Sequence, residues 1–178
     1  MRVIAGTLGG RRITAPPGRA TRPTPERVRE ALFSALGDLH GARVLDLFAG
    51  SGALAIEAIS RGAAAAVLVE HDRQAARVIR ENLEALGIDG IADVRQQDAV
   101  AAAAALTAEP PFDLVLLDPP YGEAGRLGPA LGPALPGLVA AGGRVVTESD
   151  RRDPIDLGLA PPAFERRYGD TLLRIFTP

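Results

Sequence analysis

The 178-residue chain has no cysteine and no lysine, and only two histidines, His40 and His71. Without cysteine there is no disulfide, no thiolate metal site and no cysteine nucleophile. Two histidines far apart in sequence make a histidine-rich zinc site improbable, and no metal is expected. No apolar run approaches the ~20 residues that a membrane-spanning helix needs. The opening Met1-Arg2-Val3-Ile4-Ala5-Gly6 lacks the apolar core of a secretory signal. The expected location is the cytoplasm, with no membrane partner.

What is present suits one compact α/β domain, because 47% of the residues are hydrophobic and a chain of ~150 residues or more buries a sufficient core without staples. The formal charge of −2 does not announce a nucleic-acid binder. Its distribution says more. Arg2, Arg11, Arg12, Arg19, Arg22, Arg27 and Arg29 face only Glu26 and Glu30 within the first thirty positions. The absence of lysine and the alanine load point to genome base composition, so the clustering of arginine is the better clue to phosphate contact than the choice of arginine.

Residues 2–5 and 11–14 read as short extended segments around a glycine-rich turn at 6–10, a hairpin. Residues 15–25 hold four prolines and a glycine and read as an irregular arm. Thr24 is placed to cap a helix with Pro25 at its first position; Val28, Ala31, Leu32, Ala35 and Leu36 recur at helical spacing, and Gly37 ends it. Strands at 43–48, 65–70, 91–96, 112–118 and 143–147 then alternate with helices at 52–60, 72–86, 99–108 and 126–135, the last interrupted by Pro129 and Pro133. Segments 164–168 and 171–176 are separated only by Gly169-Asp170, too short for a parallel crossover, and must form an antiparallel hairpin. The pattern predicts an open, doubly wound, mostly parallel sheet with one reversed strand, in a single domain over 1–178. Residues 1–23, the hairpin and arm, are the expected nucleic-acid contact.

Ligands of such sheets bind beyond the carboxyl ends of the strands, and four features fall there. The first strand runs through Asp46 into the turn Phe48-Ala49-Gly50-Ser51-Gly52 and then a helix. Its glycines let backbone approach a ligand, and the helix start offers N–H groups. The same spacing is used for dinucleotides, but Asp46 repels a pyrophosphate and suits a ligand bearing ammonium or sulfonium. Glu70 ends the second strand, where a carboxylate accepts ribose hydroxyls; His71 follows it, exposed. Asp98, before Ala99, ends the third strand; it can accept an adenine amino group or cap the following helix. The fourth strand ends in Asp118-Pro119-Pro120-Tyr121. Two prolines without N–H stiffen a loop that presents acceptors, and Tyr121 adds a flat face. Acceptors beside a stacking face fit a planar base whose amino group donates hydrogen bonds.

The turn at 44–54 with Asp118-Pro119-Pro120-Tyr121 resembles the class I amino-methyltransferases. Arg2-Val3-Ile4-Ala5-Gly6, Gly10-Arg11-Arg12, Arg22-Pro23-Thr24, Val28-Arg29-Glu30-Ala31-Leu32-Phe33 and Arg167-Tyr168-Gly169-Asp170 are similar to the RsmD family, over essentially the whole chain. The resemblance implies a Rossmann-like fold with a seven-stranded sheet and a donor, S-adenosylmethionine. It also implies an activity, methylation of guanine N2 in bacterial small-subunit ribosomal RNA, and a monomer acting on RNA within a ribosomal particle. By position, Asp46, Phe48, Ala49, Gly50, Ser51 and Gly52 would hold the amino-acid end of the donor. Glu70 with His71 would hold its ribose, and Asp98 with Ala99 its adenine. Arg22 and Thr24, with Pro23, would pack by donor and substrate. Asp118, Pro119, Pro120 and Tyr121 would hold the target base, Asp118 also bordering the donor. Arg2, Arg11, Arg12, Arg19 and Arg22 would contact RNA. The lack of cysteine agrees with transfer to nitrogen, since methylation at carbon 5 of a pyrimidine usually proceeds through a cysteine adduct.

Other readings stand beside this one. A DNA adenine-N6 methyltransferase shares the acceptor loop, but normally carries a separate target-recognition segment. A protein-glutamine methyltransferase also uses two prolines, and the basic arm fits it poorly. A nicotinamide oxidoreductase could use the glycine turn, yet no hydride-site acid or base is evident. A catalytically silent RNA-binding module would not need Asp118 and Tyr121.

Overall fold

A computed structural model describes residues 1–17, 25–120 and 122–178. The expectations resting on Arg19, Arg22, Pro23, Thr24 and Tyr121 lie outside the described residues.

Helix α1 (Glu26–Leu36) leads into a β/α alternation: β1 (Arg43–Asp46), α2 (Ala53–Ser60), β2 (Ala65–Glu70), α3 (Arg73–Leu86), β3 (Ala92–Gln96), α4 (Ala99–Leu106) and β4 (Phe112–Leu117). Then come α5 (Ala124–Leu131), α6 (Leu135–Leu138), β5 (Val139–Asp150), β6 (Phe164–Tyr168) and β7 (Thr171–Phe176). The seven strands form one sheet in the order β3-β2-β1-β4-β5-β7-β6. Every pairing is parallel except those of β7 with β5 and with β6. β7 is therefore the one reversed strand, as the two-residue turn requires.

Alternate side chains of each strand feed two cores. Val44, Leu68 and Leu114 pack with α1, α2 and α3 on one face. Leu45, Leu47, Val67 and Val115 pack with α4, α5 and α6 on the other. A sheet covered on both faces accounts for the near-continuous apolar runs of β1, β2 and β4. α1 shows how the helices attach: Val28, Leu32, Phe33 and Leu36 are buried, each contributing about 1.5–3 kcal/mol.

Several boundaries differ from the sequence expectation. The 2–5 and 11–14 segments make only one antiparallel bridge, Arg2 with Arg12, closed by bonds from Val3 N to Arg11 O and from Gly10 N to Val3 O, both 2.9 Å. The hairpin is held instead by α2. Thr7 N donates to Ser60 O at 2.7 Å, and Leu8 N to Ser60 Oγ at 3.0 Å. Gly6 is required here: its φ is 81°, and a Cβ would lie 1.8 Å from the Ser60 carbonyl oxygen. Pro25 occupies the cap of α1 rather than its first turn, with an extended ψ of 144°. Its carbonyl accepts from Val28 N and Arg29 N. Pro129 sits inside α5, and the expected single helix over 126–135 is split by a 3-10 turn at Gly132–Ala134 before α6. β5 is longer at both ends than expected: β7 lies along its outer edge from Val145 to Asp150, and at its start Val139 pairs with Phe112 of β4.

Candidate donor and base site

β1 has β2 on one side and β4 on the other. The loops after β1 and β4 therefore diverge across a crevice, the switch point where such sheets bind ligands. A cavity of about 530 Å³ occupies that crevice, within the size range of small-molecule sites.

The turn after β1 is a tight one. Gly52 N donates to Ala49 O at 2.6 Å, and Ala49 N to Val69 O at 3.0 Å. Gly50 has φ 56° and Gly52 φ 80°, a region that a side-chain-bearing residue rarely adopts. A Cβ on Gly52 would also press on Ile56, Leu68 and Ile79 at 3.3–3.4 Å. Glu70 braces the turn from the end of β2. Its Oε2 accepts from Gly50 N at 2.9 Å and its Oε1 from Asp72 N at 2.8 Å. A carboxylate has about four lone-pair sites, so these bonds leave acceptor capacity. His71 is exposed, with its Nδ1 3.1 Å from Glu70 Oε1.

Asp46 is the unusual group. It is 1% exposed, and neither carboxylate oxygen has a well-formed hydrogen bond. Burial pushes its carboxyl up to about 7, the charge of Asp118 pushes in the same direction, and Glu70 adds a smaller push; the nearby amides of Phe48 and Ala55 offset this only in part. Three carboxylates thus converge on one end of the cavity, Glu70 and Asp118 on its wall and Asp46 beneath the glycine turn. A cation brought there would relieve the cost of burying the Asp46 charge.

Asp98 performs the capping role that the sequence left open. Its Oδ1 accepts from Val100 N at 2.9 Å and Ala101 N at 3.0 Å. It lines the cavity as well, with Ala99. Asp118, Pro119 and Pro120 form the opposite lip.

Of the residues singled out by sequence, the cavity wall thus brings together Phe48, Ala49, Gly50, Ser51, Glu70, His71, Asp98, Ala99, Asp118, Pro119 and Pro120. Asp46 and Gly52 stand behind that wall. Arg2, Arg11 and Arg12 lie away from it, at the hairpin. Arg2 ion-pairs with Glu26 at 3.1 Å. Arg11 donates to Ala85 O at 2.9 Å, near the carboxyl end of α3, where a cation meets the negative end of the helix dipole. Arg12 is exposed and makes no ion pair among the described residues.

Three buried polar residues were not among the site residues named from the sequence. Arg29 is 1% exposed and lines the cavity. Glu57, wholly buried in α2, accepts from Ile4 N at 2.7 Å and Ala5 N at 3.1 Å and ion-pairs with Arg61 at 2.7 Å. Asn82 of α3 accepts from Thr14 N at 2.8 Å and donates to Thr14 O at 2.9 Å and Ser51 O at 3.1 Å. Each had a signal: a lone polar group inside an otherwise apolar helical stripe. Glu148 of β5 also reaches the cavity wall.

An open depression of about 310 Å³ lies at the other end of the sheet, among Asp38, His40, Asp113 and Arg144. Its charged groups are already engaged: Arg144 donates to the Leu36 carbonyl, and Asp113 accepts from Arg43 N at 2.8 Å. Among the described residues no helix is long and apolar enough to cross a membrane, and no group of acidic or histidine side chains is arranged to hold a metal.

A family model described as Conserved hypothetical protein 95 matches residues 1–177. Ribosomal RNA small subunit methyltransferase D of Escherichia coli strain K12 is 41% identical over 122 residues, which are 68% of this chain and 60% of that protein. The solved structure of yhhF from Escherichia coli, provisionally described as a methyltransferase, is similar with a TM-score of 0.84 and 33% identity, over 98% of this chain and 96% of that one. An RNA methyltransferase from Salinibacter ruber, solved with S-adenosyl-L-homocysteine, shares the fold with a TM-score of 0.67 and 22% identity, over 87% of this chain and 92% of that one.

Proposed function

The chain belongs to the family described as Conserved hypothetical protein 95, the RsmD family that its motifs resemble, and has the Rossmann-like fold of class I methyltransferases; on that premise we propose that it transfers a methyl group from S-adenosylmethionine to the exocyclic N2 of a guanine in small-subunit ribosomal RNA. One observation carries the reading. A donor-poor lip of Asp118, Pro119 and Pro120 lines the crevice, and the buried, unsatisfied Asp46 carboxylate lies behind its wall beneath the glycine turn.

The residues present fit the donor. The negative end of the cavity suits a ligand that carries positive charge. Glu70 would take the ribose hydroxyls with its remaining lone pairs, and Asp98 with Ala99 would border the adenine. His71 would flank the ribose, and Phe48, Ala49, Gly50, Ser51 and Gly52 would wrap the amino-acid end. The donor supplies an electrophilic methyl group on a cationic sulfur. The chain does the rest by placement. Guanine N2 is a weak nucleophile, because its lone pair is delocalised into the ring. Hydrogen bonds from its N–H groups to the Asp118 carboxylate and the Pro119 carbonyl would hold the amino group aimed across the crevice. The same acceptors stabilise positive charge as it develops on nitrogen. The methylated nitrogen then loses a proton to solvent; it is acidic enough to need no tuned base. Pro120 keeps the lip rigid, and Tyr121 would stack on a base drawn from an RNA loop or bulge.

The hairpin and arm would contact phosphates. Arg12 is the best placed, being exposed with its charge available; Arg2 is partly neutralised by Glu26. Arg19 and Arg22 complete the proposed RNA surface, with Arg22 and Thr24 also beside the donor. An assembled small-subunit particle in the cytoplasm is the proposed substrate and setting, with the enzyme acting as a monomer.

The test is methyl incorporation from labelled S-adenosylmethionine into small subunits, naked ribosomal RNA and duplex DNA, with the modified nucleotide mapped by mass spectrometry. N2-methylguanine at one position of the small-subunit RNA is expected. N6-methyladenine in DNA, or no transfer to any of the three, would overturn the proposal.

A further inference from the structure

Glu148 is a buried acid on the far side of the lip from the residues proposed to hold the donor. It is 7% exposed and lines the same crevice as Asp118, Pro119 and Pro120. β4 and β5 pair in parallel, with Leu116 beside Val146 and Leu117 beside Thr147. Carried one residue on, that register sets Glu148 beside Asp118. Leu116 and Val146 belong to one core, and side chains two residues apart along a strand share a face. Two acids therefore stand side by side on one face, at the carboxyl end of the sheet.

Strand order separates Glu148 from the donor residues. Along β3-β2-β1-β4-β5, Asp98 follows β3, Glu70 ends β2 and the glycine turn follows β1. The lip after β4 comes next, and Glu148 lies beyond it on β5. A ligand stretched from Asp98 to the glycine turn ends at the lip. Glu148 thus faces what the lip would hold on its other side, the target base.

Base chemistry narrows its task. The Watson–Crick edge of guanine carries two neighbouring donors, N1–H and the N2 amino group, and an extruded base is read along that edge. In adenine and cytosine the ring nitrogen beside the amino group is an acceptor instead. With Asp118 taking the amino group, a second carboxylate next to it fits N1–H of guanine and repels the ring nitrogen of adenine or cytosine. A carboxylate has about four lone-pair sites, so Glu148 can serve N1–H alongside contacts within the protein.

We infer that Glu148 accepts a hydrogen bond from N1–H of the target base and makes the enzyme specific for guanine among bases that carry an amino group. The inference rests on the proposed methylation of guanine N2. Glu148 does not activate the amino group; it decides which heterocycle can lie in the crevice with that group against Asp118. An acceptor nitrogen buried against the carboxylate would oppose two lone pairs with no proton between them, a penalty beyond the loss of a contact.

The test uses small-subunit particles carrying guanine or 2-aminopurine at the mapped position, placed there by ligating a synthetic RNA segment. 2-Aminopurine keeps the amino group on carbon 2 and has a bare acceptor at N1. Single-turnover methylation is measured for wild type, Glu148→Gln and Glu148→Asp, and donor affinity is followed by calorimetry. Wild type is expected to prefer guanine by about 100-fold or more. Glu148→Gln should reduce that preference about tenfold or more, because its amide can donate to the bare nitrogen. Its donor affinity should stay within about twofold of wild type, which also reports an intact fold. Glu148→Asp keeps the charge and should keep most of the preference. If Glu148→Gln turns over neither base, the same ratio is read from binding of the two particles with S-adenosylhomocysteine present. An undiminished preference in Glu148→Gln, by rate or by binding, would overturn the inference. So would equal use of the two bases by wild type. A loss of donor affinity in Glu148→Gln with unchanged preference would also overturn it, assigning the acid to the donor. No methylation of guanine by wild type would instead remove the reading on which the inference stands.

Discussion

Asp118 acts on Asp46: the two carboxylates stand at the carboxyl ends of neighbouring parallel strands, and after burial the charge of Asp118 does most to hold the Asp46 carboxyl at about 7. The lip that would hold the base and the acid beneath the glycine turn are thus one electrostatic unit.

A pH dependence follows. The folded pKa of Asp46, about 7, lies above that of an unfolded aspartate, so the native state holds the extra proton between about pH 4 and 7. The contribution of this group to stability is full below about pH 4 and is lost as pH rises through about 7. Without donor, Asp46→Asn should therefore be more stable than wild type at pH 8, by about 1–3 kcal/mol, and equal to it near pH 4. Thermal unfolding across pH checks this. A cationic donor needs the ionised form, so donor affinity should fall about tenfold per pH unit well below pH 7, with proton release visible in calorimetry in buffers of differing ionisation enthalpy. A flat affinity profile from pH 5 to 8 would contradict the assignment.

Asp118→Ala should lower the methyl-transfer rate about 100-fold or more, the scale of removing one transition-state acceptor, while donor binding survives. Asp118→Asn keeps an acceptor oxygen and should retain more activity. Both variants remove a charge from beside Asp46, so the pH midpoint of donor binding should move down. Single-turnover rates and donor titrations separate the two effects; wild-type rates in Asp118→Ala would exclude the acceptor role.

Reversing charge on the hairpin should distinguish its arginines. Arg12→Glu is expected to weaken binding to small-subunit RNA, and to reduce the slope of log affinity against log salt by about 1 for each phosphate that is no longer neutralised. Arg2→Glu should cost less affinity, since Glu26 already shares its charge. Arg11→Glu should lower stability too, because its bond to Ala85 O disappears. Binding measured at two or more salt concentrations decides the order, and identical affinities for all variants would remove the hairpin from the RNA surface.

Asn82 ties the start of the chain to the donor turn. Its amide pairs with both the N–H and the carbonyl of Thr14 and reaches the Ser51 carbonyl. Asn82→Ala leaves these backbone groups unpaired and should cost about 1–3 kcal/mol, a Tm decrease of roughly 2–10 °C for a domain of this size. Asn82→Asp keeps the acceptor for Thr14 N but sets a carboxylate against two carbonyl oxygens, and should be no better than alanine. Thermal denaturation settles both, and an unchanged Tm in Asn82→Ala would show the staple to be dispensable.

Much of the scaffold was legible in one dimension because its signals are local. β2, β6 and β7 start and end where the sequence reading places them, since apolar runs bounded by turn residues specify strands without reference to the rest of the molecule. Asp72, whose side chain accepts from Ala75 N at 2.7 Å, and Gly87 mark the ends of α3 in the same way. Boundaries failed where a distant partner decides them: β5 is extended by β7, and the hairpin, short of a ladder of its own, is gripped by Ser60 and Glu57.

The amino-acid order alone determined the alternation of strands and helices, the reversed final strand, the glycine turn after β1 and the acceptor loop after β4. Each depends on backbone geometry and side-chain types within a dozen neighbouring residues. Only the tertiary structure decided that Asp46 is left unsatisfied and raised, that Arg29 is a buried cation on the same cavity, and that Asn82 and Glu57 hold the first residues against the donor turn. Burial and charge–charge distance are properties of the packed molecule, and groups far apart along the chain acquire them only when the sheet and its helices close around them.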